Sequence, residues 1–253
     1  MRPTTVCFDL DDTLYPYADY ARTGLSVAAE RVANRLDGRS GSEVAEELHD
    51  LYFDEDVTAG TFDRLVQRHD LPAELVDDLV EAYHGASDPL APYDETVPTL
   101  RGLADDGYRL GLVTDGRNGD AKLRRLGIGD YFEAVVVTPE HGCSKHGREP
   151  FDKVLSELSA EPERTVYVGD DPRVDFAVPN HLGMGTVRLR RGRYVDLAPP
   201  DDAAAPDAEI DALSELPDLL DVASTPPSGE PTRSPRAHGG DRPRSEREQG
   251  DRR

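Results

Sequence analysis

The chain has 253 residues, 37% apolar and 32% charged, with a formal net charge of −22. That length holds one large domain, or a core with a smaller insertion. The charge repels nucleic acid and anionic membranes, and no apolar run approaches the roughly 18 residues that span a bilayer. Met1 to Phe8 is too short for a signal peptide and leads into a charged cluster, so a cytoplasmic protein is expected. Lysine occurs only at Lys122, Lys145 and Lys153, every other basic residue apart from histidine being arginine. An acidic, lysine-poor composition looks like an adaptation to high salt, where carboxylates hold hydration and repulsion is screened; a body built to bind a basic partner is the alternative. Cys7 and Cys143 make no metal-ligand spacing and no disulfide framework, and Cys7 reads as a small core residue.

Thr5-Val-Cys-Phe8 is a short apolar run ending at Asp9, as expected of a buried strand in a parallel sheet. From Asp19 to about His84 the spacing is helical. Leu25, Ala28, Val32 and Leu36 share one face, Val44, Leu48 and Leu51 another, and Leu75, Leu79 and Ala82 a third, with Gly38, Gly41, Gly60 and Pro72 as punctuation. Residues 16–91 therefore read as a helical insertion. Beyond them, helices are expected over Thr96–Ala104, Asp120–Leu126, Phe151–Leu158 and Leu213–Val222. Strands are expected over Tyr108–Thr114, Phe132–Val137, Thr165–Val168 and Thr186–Leu189. This alternation predicts an α/β fold, a Rossmann-like doubly wound parallel sheet formed by residues 1–15 and 92–222, with right-handed crossovers. From 223 to 253 the chain is rich in Pro, Gly, Ser and Arg and nearly free of apolar residues, so a disordered tail is expected. Its seven arginines against five acids from Ser224 onward make it mildly basic on an acidic body.

Four clusters carry chemistry. Asp9-Leu-Asp11-Asp12-Thr13 directly follows the first strand, where an open α/β sheet binds ligands, and period-two geometry points Asp9 and Asp11 the same way. One carboxylate can attack phosphorus while the other handles the proton of the leaving oxygen. Gly169-Asp170-Asp171, with Asp175, follows another apolar strand, and its carboxylates suit a hard divalent cation such as Mg²⁺. Thr114-Asp115-Gly116 offers a hydroxyl and backbone N–H groups to phosphate oxygens, and Lys145 a point charge. Each cluster alone also reads as an ordinary solvated loop. Two acidic loops at strand ends of one sheet are harder to read that way.

In this order and spacing, Asp9-x-Asp11-x-Thr13, Thr114, Lys145 and Gly169-Asp170…Asp175 resemble the motifs of the haloacid dehalogenase-like hydrolase superfamily. The likeness runs from the amino terminus to about Leu220, and the composition is similar to that of halophilic archaeal proteins. The resemblance implies a Mg²⁺-dependent phosphatase acting on a small-molecule phosphate ester of the nucleotide or sugar phosphate class. Asp9 matches the nucleophile that becomes an aspartyl-phosphate, and Asp11 the general acid and base. Thr114 matches the hydroxyl that holds the phosphoryl group, with Asp115 beside it in the phosphate-binding loop, and Lys145 matches the neutralising lysine. Asp170 matches a Mg²⁺ ligand alongside the Asp9 carboxylate and the Asp11 backbone carbonyl. Asp175 matches the outer acid that holds a metal-bound water or Lys145. The insertion at 16–91 matches a type-one helical cap, with Tyr15-Pro16-Tyr17 leading into it and Arg22, Tyr17 and Tyr20 as side chains that reach substrate or pack the cap. Two positions depart from the pattern: His146 stands where proline is usual, and Asp115 where asparagine is common. Asp12 and Asp171 are extra acids expected to be structural or to support the residues that touch substrate and metal. No nucleic acid or membrane partner is implied, and the oligomeric state does not follow from the sequence. A phosphomutase of the same fold and a non-catalytic binding protein are the competing readings. A dehalogenase is disfavoured, because halide needs no proton from Asp11.

Overall fold

The computed structural model describes residues 2–36, 38–53 and 60–224. Six parallel strands form one sheet: β1 (Thr5–Phe8), β2 (Arg109–Thr114), β3 (Ala134–Val137), β4 (Thr165–Gly169), β5 (Gly185–Leu189) and β6 (Ala208–Ile210), in the order β3-β2-β1-β4-β5-β6. Every residue of β1 and β4 is buried, which explains their unbroken apolar runs. The strand over 134–137 starts two residues later than the sequence suggests. Phe132 instead stacks edge-on against Phe8, 6.3 Å between ring centres, and Glu133 pairs with Arg109 at 2.7 Å.

The helices are α1 (Tyr17–Ala33), α2 (Gly41–Phe53), α3 (Thr61–Arg68), α4 (Leu75–His84), α5 (Thr96–Asp105), α6 (Gly119–Leu126), α7 (Glu149–Glu157), α8 (Ala177–Leu182) and α9 (Leu216–Ser224). The first four lie between β1 and β2. Leu25, Ala28 and Val32 of α1 pack against Val44 and Leu48 of α2 and Leu79 of α4, all buried. Each fully buried leucine or valine there contributes about 1.5–3 kcal/mol. The sequence shows α2 and α4 as stripes, but α3 escapes it because its buried side chains are only Leu65 and Val66. The expected helix over 213–222 divides into a 3₁₀ turn, Leu213–Glu215, and α9, in which Pro217 stands in the first turn. The tail expected from 223 lies, apart from the last two residues of α9, outside the described residues. Among the described residues no helix is long and apolar enough to cross a membrane.

Register decides what stands at the top of the sheet. Phe8 pairs with Leu112 on one side and Val168 on the other, and Asp9 N–H donates to the Val168 carbonyl at 2.9 Å. Asp9, Thr114 and Asp170 therefore leave three neighbouring strands at nearly the same height, at their carboxyl ends.

Candidate active site

Asp9 is buried at the end of the central strand, and the Lys145 ammonium sits on its Oδ1. Lys145 reaches there because its segment is tied down twice. Its backbone N–H donates to Asp115 Oδ1 at 3.0 Å, and Thr138 Oγ1 donates to the same oxygen at 2.5 Å. Downstream, Pro150 stands in the first turn of α7 and Phe151 packs edge-on against Tyr167, 5.2 Å between centres. His146, in the usual proline position, is exposed. The Asp115 carboxylate thus anchors the lysine's segment, a role the sequence did not suggest.

Asp175 is fully buried and uses both oxygens. Oδ1 accepts from Lys145 Nζ at 2.8 Å, and Oδ2 accepts from Asp170 N–H at 3.1 Å and Asp171 N–H at 2.9 Å. A Cβ on Gly169 would stand 2.4 Å from that Oδ2, so only glycine lets Asp175 fold back beneath the loop. Asp170 Oδ1 accepts from Thr13 Oγ1 at 2.9 Å, while Oδ2 is buried with no partner. Thr114 is buried, and its hydroxyl oxygen accepts from Gly116 N–H at 3.0 Å.

Burial pushes Asp9 up to about 7, with Lys145 pulling down and Asp175 and Asp11 pushing up. Burial, together with Asp9 and Asp175, also raises Asp170 well above the carboxylate range. Burial by itself would lower the Lys145 ammonium, but Asp175 and Asp9 outweigh it and hold the group charged. Three buried carboxyl groups thus gather beside one ammonium, which pairs with Asp9 and Asp175 and leaves Asp170 without a paired cation among the described residues. Ligand oxygens of Asp9, Asp170 and Asp175 lie within 4.8 Å of one another. An all-oxygen donor set with one orphaned carboxylate oxygen fits a hard divalent cation.

Asp11 is not in that cluster. Both its oxygens accept from Lys122 Nζ at 2.7 Å, and Oδ1 also accepts from Tyr15 OH at 2.5 Å. Asp12, backbone left-handed at φ 61°, accepts from Arg193 at 2.5 Å and caps Tyr17 N–H at 3.0 Å. Asp171 holds Arg173 at 2.8 Å. Both extra acids thus hold arginines, and Arg193 and Asp171 line a cavity beside Asp9. Tyr17 and Tyr194 line it too, together with Asp11, and its volume is about 210 Å³. Arg22 is exposed and paired with Asp19 at 2.9 Å.

A cluster of buried acids around one ammonium, at the carboxyl edge of a parallel sheet, is the site of an α/β enzyme. The chain belongs to the haloacid dehalogenase-like hydrolases, whose family model matches residues 3–183. It is 38% identical over 228 residues to a glyceraldehyde 3-phosphate phosphatase of Methanopyrus kandleri, covering 85% of this chain and 96% of that protein. It is 30% identical over 236 residues to a ribulose-1,5-bisphosphate 5-phosphatase of Halopiger xanaduensis, covering 86% and 99%. Among solved structures, a HAD phosphatase from Thermococcus onnurineus superposes with a TM-score of 0.58 at 27% identity, covering 86% of this chain and 97% of that one.

Proposed function

We propose that the chain is a Mg²⁺-dependent phosphatase of small sugar phosphates, working through an aspartyl-phosphate on Asp9. The observation that carries this reading is the buried Asp9–Lys145–Asp175 chain beside the orphaned Asp170 oxygen. In the first step an Asp9 oxygen attacks phosphorus, the ester P–O bond breaks, and the departing oxygen takes a proton from Asp11. In the second, Asp11, now a carboxylate, takes a proton from water. That water's oxygen attacks phosphorus, and phosphate leaves with Asp9 restored. Lys145 and the Thr114 hydroxyl hold the oxygens on which negative charge gathers, and the backbone of the 114–116 turn adds N–H donors. Asp9, Asp170 and the Asp11 carbonyl would hold the Mg²⁺, with Asp175 behind them. When bound, the ion supplies the positive charge that lets carboxylates and a phosphate dianion share the site. Residues 16–91 act as the cap that closes the site to water. A cavity of about 210 Å³ favours a compact substrate, in keeping with the triose and pentulose phosphates named for the relatives.

The test is phosphate release from a panel of sugar phosphates and nucleotides, with Mg²⁺ or with chelator, at low and at molar salt. Release from the smaller sugar phosphates should fall by about 10³-fold or more on chelation. No release from any ester, transfer between hydroxyls without release, or release indifferent to chelator would overturn the reading. A second expectation concerns Asp11→Asn. It should lower kcat/KM by about 10²–10⁴-fold on esters with poor leaving groups and far less on activated aryl esters, which need little protonation. Equal losses on both would remove Asp11 from the proton step.

A further inference from the structure

Lys122 lies outside the four clusters, yet it is as deeply buried as Lys145, each only 2% exposed. It sits mid-helix in α6, on the face it shares with Gly119, Leu123 and Leu126. Its ammonium reaches both oxygens of Asp11 at 2.7 Å and lies 4.5 Å from the centre of the Tyr20 ring and 5.4 Å from that of Tyr17. An ammonium boxed by two aromatic rings has one strong acceptor to point at, so the carboxylate and the lysine fix each other. Tyr15 OH closes the remaining side at 2.5 Å.

The turn after β2 is shaped around this pair. A Cβ on Gly116 would stand 2.4 Å from Asp11 Oδ2 and 2.9 Å from Lys122 Nζ. Glycine therefore lets the pair lie directly against the Thr114 turn, where the phosphoryl group is proposed to bind. The choice of lysine is informative in a chain that carries arginine at every other basic position except 145 and 153. A planar fork of five donors does not fit a slot between two rings and a glycine, whereas a compact point charge does.

We propose that Lys122, assisted by Tyr15, is a positioning residue that holds the Asp11 carboxyl group beside the phosphoryl site, and that this hold governs both the proton Asp11 gives to the leaving group as an acid and the one it then takes from water as a carboxylate. The proposal rests on the reading of Asp11 as the general acid and base. Through Tyr17 and Tyr20, both on α1, it also ties the acid to the first helix of the insertion. A carboxylate displaced by about 1 Å from the leaving oxygen loses on the order of 10²-fold in rate.

The experiment compares phenyl phosphate, a poor leaving group, with 2,4-dinitrophenyl phosphate, a good one, in Mg²⁺. Lys122→Met should lower kcat/KM on phenyl phosphate by about 10²-fold and on the dinitrophenyl ester by less than about 3-fold, with KM little changed. Lys122→Arg, which keeps the charge in a wider head, should fall between it and wild type. In an Asp11→Asn background, Lys122→Met should add no further loss on either ester, because a residue acting through Asp11 is silent once Asp11 is gone. Equal losses on both esters, additive losses in the double variant, or wild-type rates in Lys122→Met would each overturn the proposal. Should Lys122→Met fail to fold, Tyr15→Phe removes only the second hold and should show the same asymmetry at about 10-fold; a symmetric effect there overturns the proposal equally. Wild type inert towards both esters would take down the phosphatase reading itself. Asp9-dependent turnover with a symmetric Lys122→Met loss would strike only at Lys122.

Discussion

Asp9→Asn is expected to give a folded protein whose phosphate release falls by about 10⁴-fold or more. The amide has no carboxylate lone pair to form the acyl phosphate, and among the described residues the acids that share its cavity are held by other partners. Lys145 meets Asp9 and Asp175, and Asp170 is held by Thr13. The fold should tolerate the change, because Asp9 is already costly to keep ionised in its buried seat, which pushes it up to about 7. Asn keeps the shape, and Lys145 keeps Asp175 as counter-ion at 2.8 Å. Two measurements check this: phosphate release from a sugar phosphate, and acid-quenched trapping of labelled phosphoenzyme. Both should vanish while the melting temperature holds. Labelled protein in the Asn variant, or turnover above about 1% of wild type, would place the nucleophile elsewhere.

Asp170→Asn should move activity and stability in opposite directions. Activity should fall by about 10³-fold, since the variant loses a buried carboxylate oxygen that has no hydrogen-bond partner among the described residues. Stability of the metal-free protein should rise. Asp170 has its pKa raised by burial and by Asp9 and Asp175, so its folded value lies above its unfolded one. Such a group gives its full stabilisation below the unfolded pKa and loses it as pH rises through the folded pKa. Asp9, raised to about 7, behaves the same way. Metal-free wild type should therefore lose stability from about pH 4 upward through neutrality. Asp170→Asn removes one of these groups and should melt about 5 °C higher at neutral pH in chelator, on the scale of one unsatisfied buried group in a domain this size. Added Mg²⁺ should raise the wild-type melting temperature and leave that of the variant nearly unmoved. A variant that melts lower than wild type in chelator, or responds equally to Mg²⁺, would show that Asp170 is satisfied some other way.

Three parts of the site legible in the sequence share one property, standing at or just past the end of a strand, whereas Lys145 and Asp175 are legible only through the spacing of the motifs. Asp9, Thr114 and Asp170 follow apolar runs buried on both faces, so position and chemistry coincide in the letters themselves. Lys122 was hidden because α6 reads Asp-Ala-Lys-Leu-Arg-Arg, the pattern of a wet helix face. Its spacing of four from Leu126 places it on the inner side, and the scarcity of lysine marks it further. Thr13 was visible only as part of a motif; that its hydroxyl would tether Asp170, 157 residues away, depends on the β1–β4 pairing. In the fold, β6 was missed because Ala-Glu-Ile is a three-residue edge paired with β5 alone, too short for any period to show. α8 was missed because it has six residues and carries Pro179 in its first turn.

Two of the three lysines lie inside, and the third, Lys153, lies half-open on α7, paired with Glu157 at 2.8 Å. The exterior therefore wears its positive charge almost wholly as guanidinium, which sheds water readily and grips carboxylates with a flat double hook. Trading ammonium for guanidinium is cheap on such a coat, where each head finds room to spread. At 122 the amine lies against Gly116 and two aromatic rings, which leaves little room for a wider head. Positive charge on this molecule is thus sorted by shape, a wide flat head outside and a compact one in the narrow slot at 122.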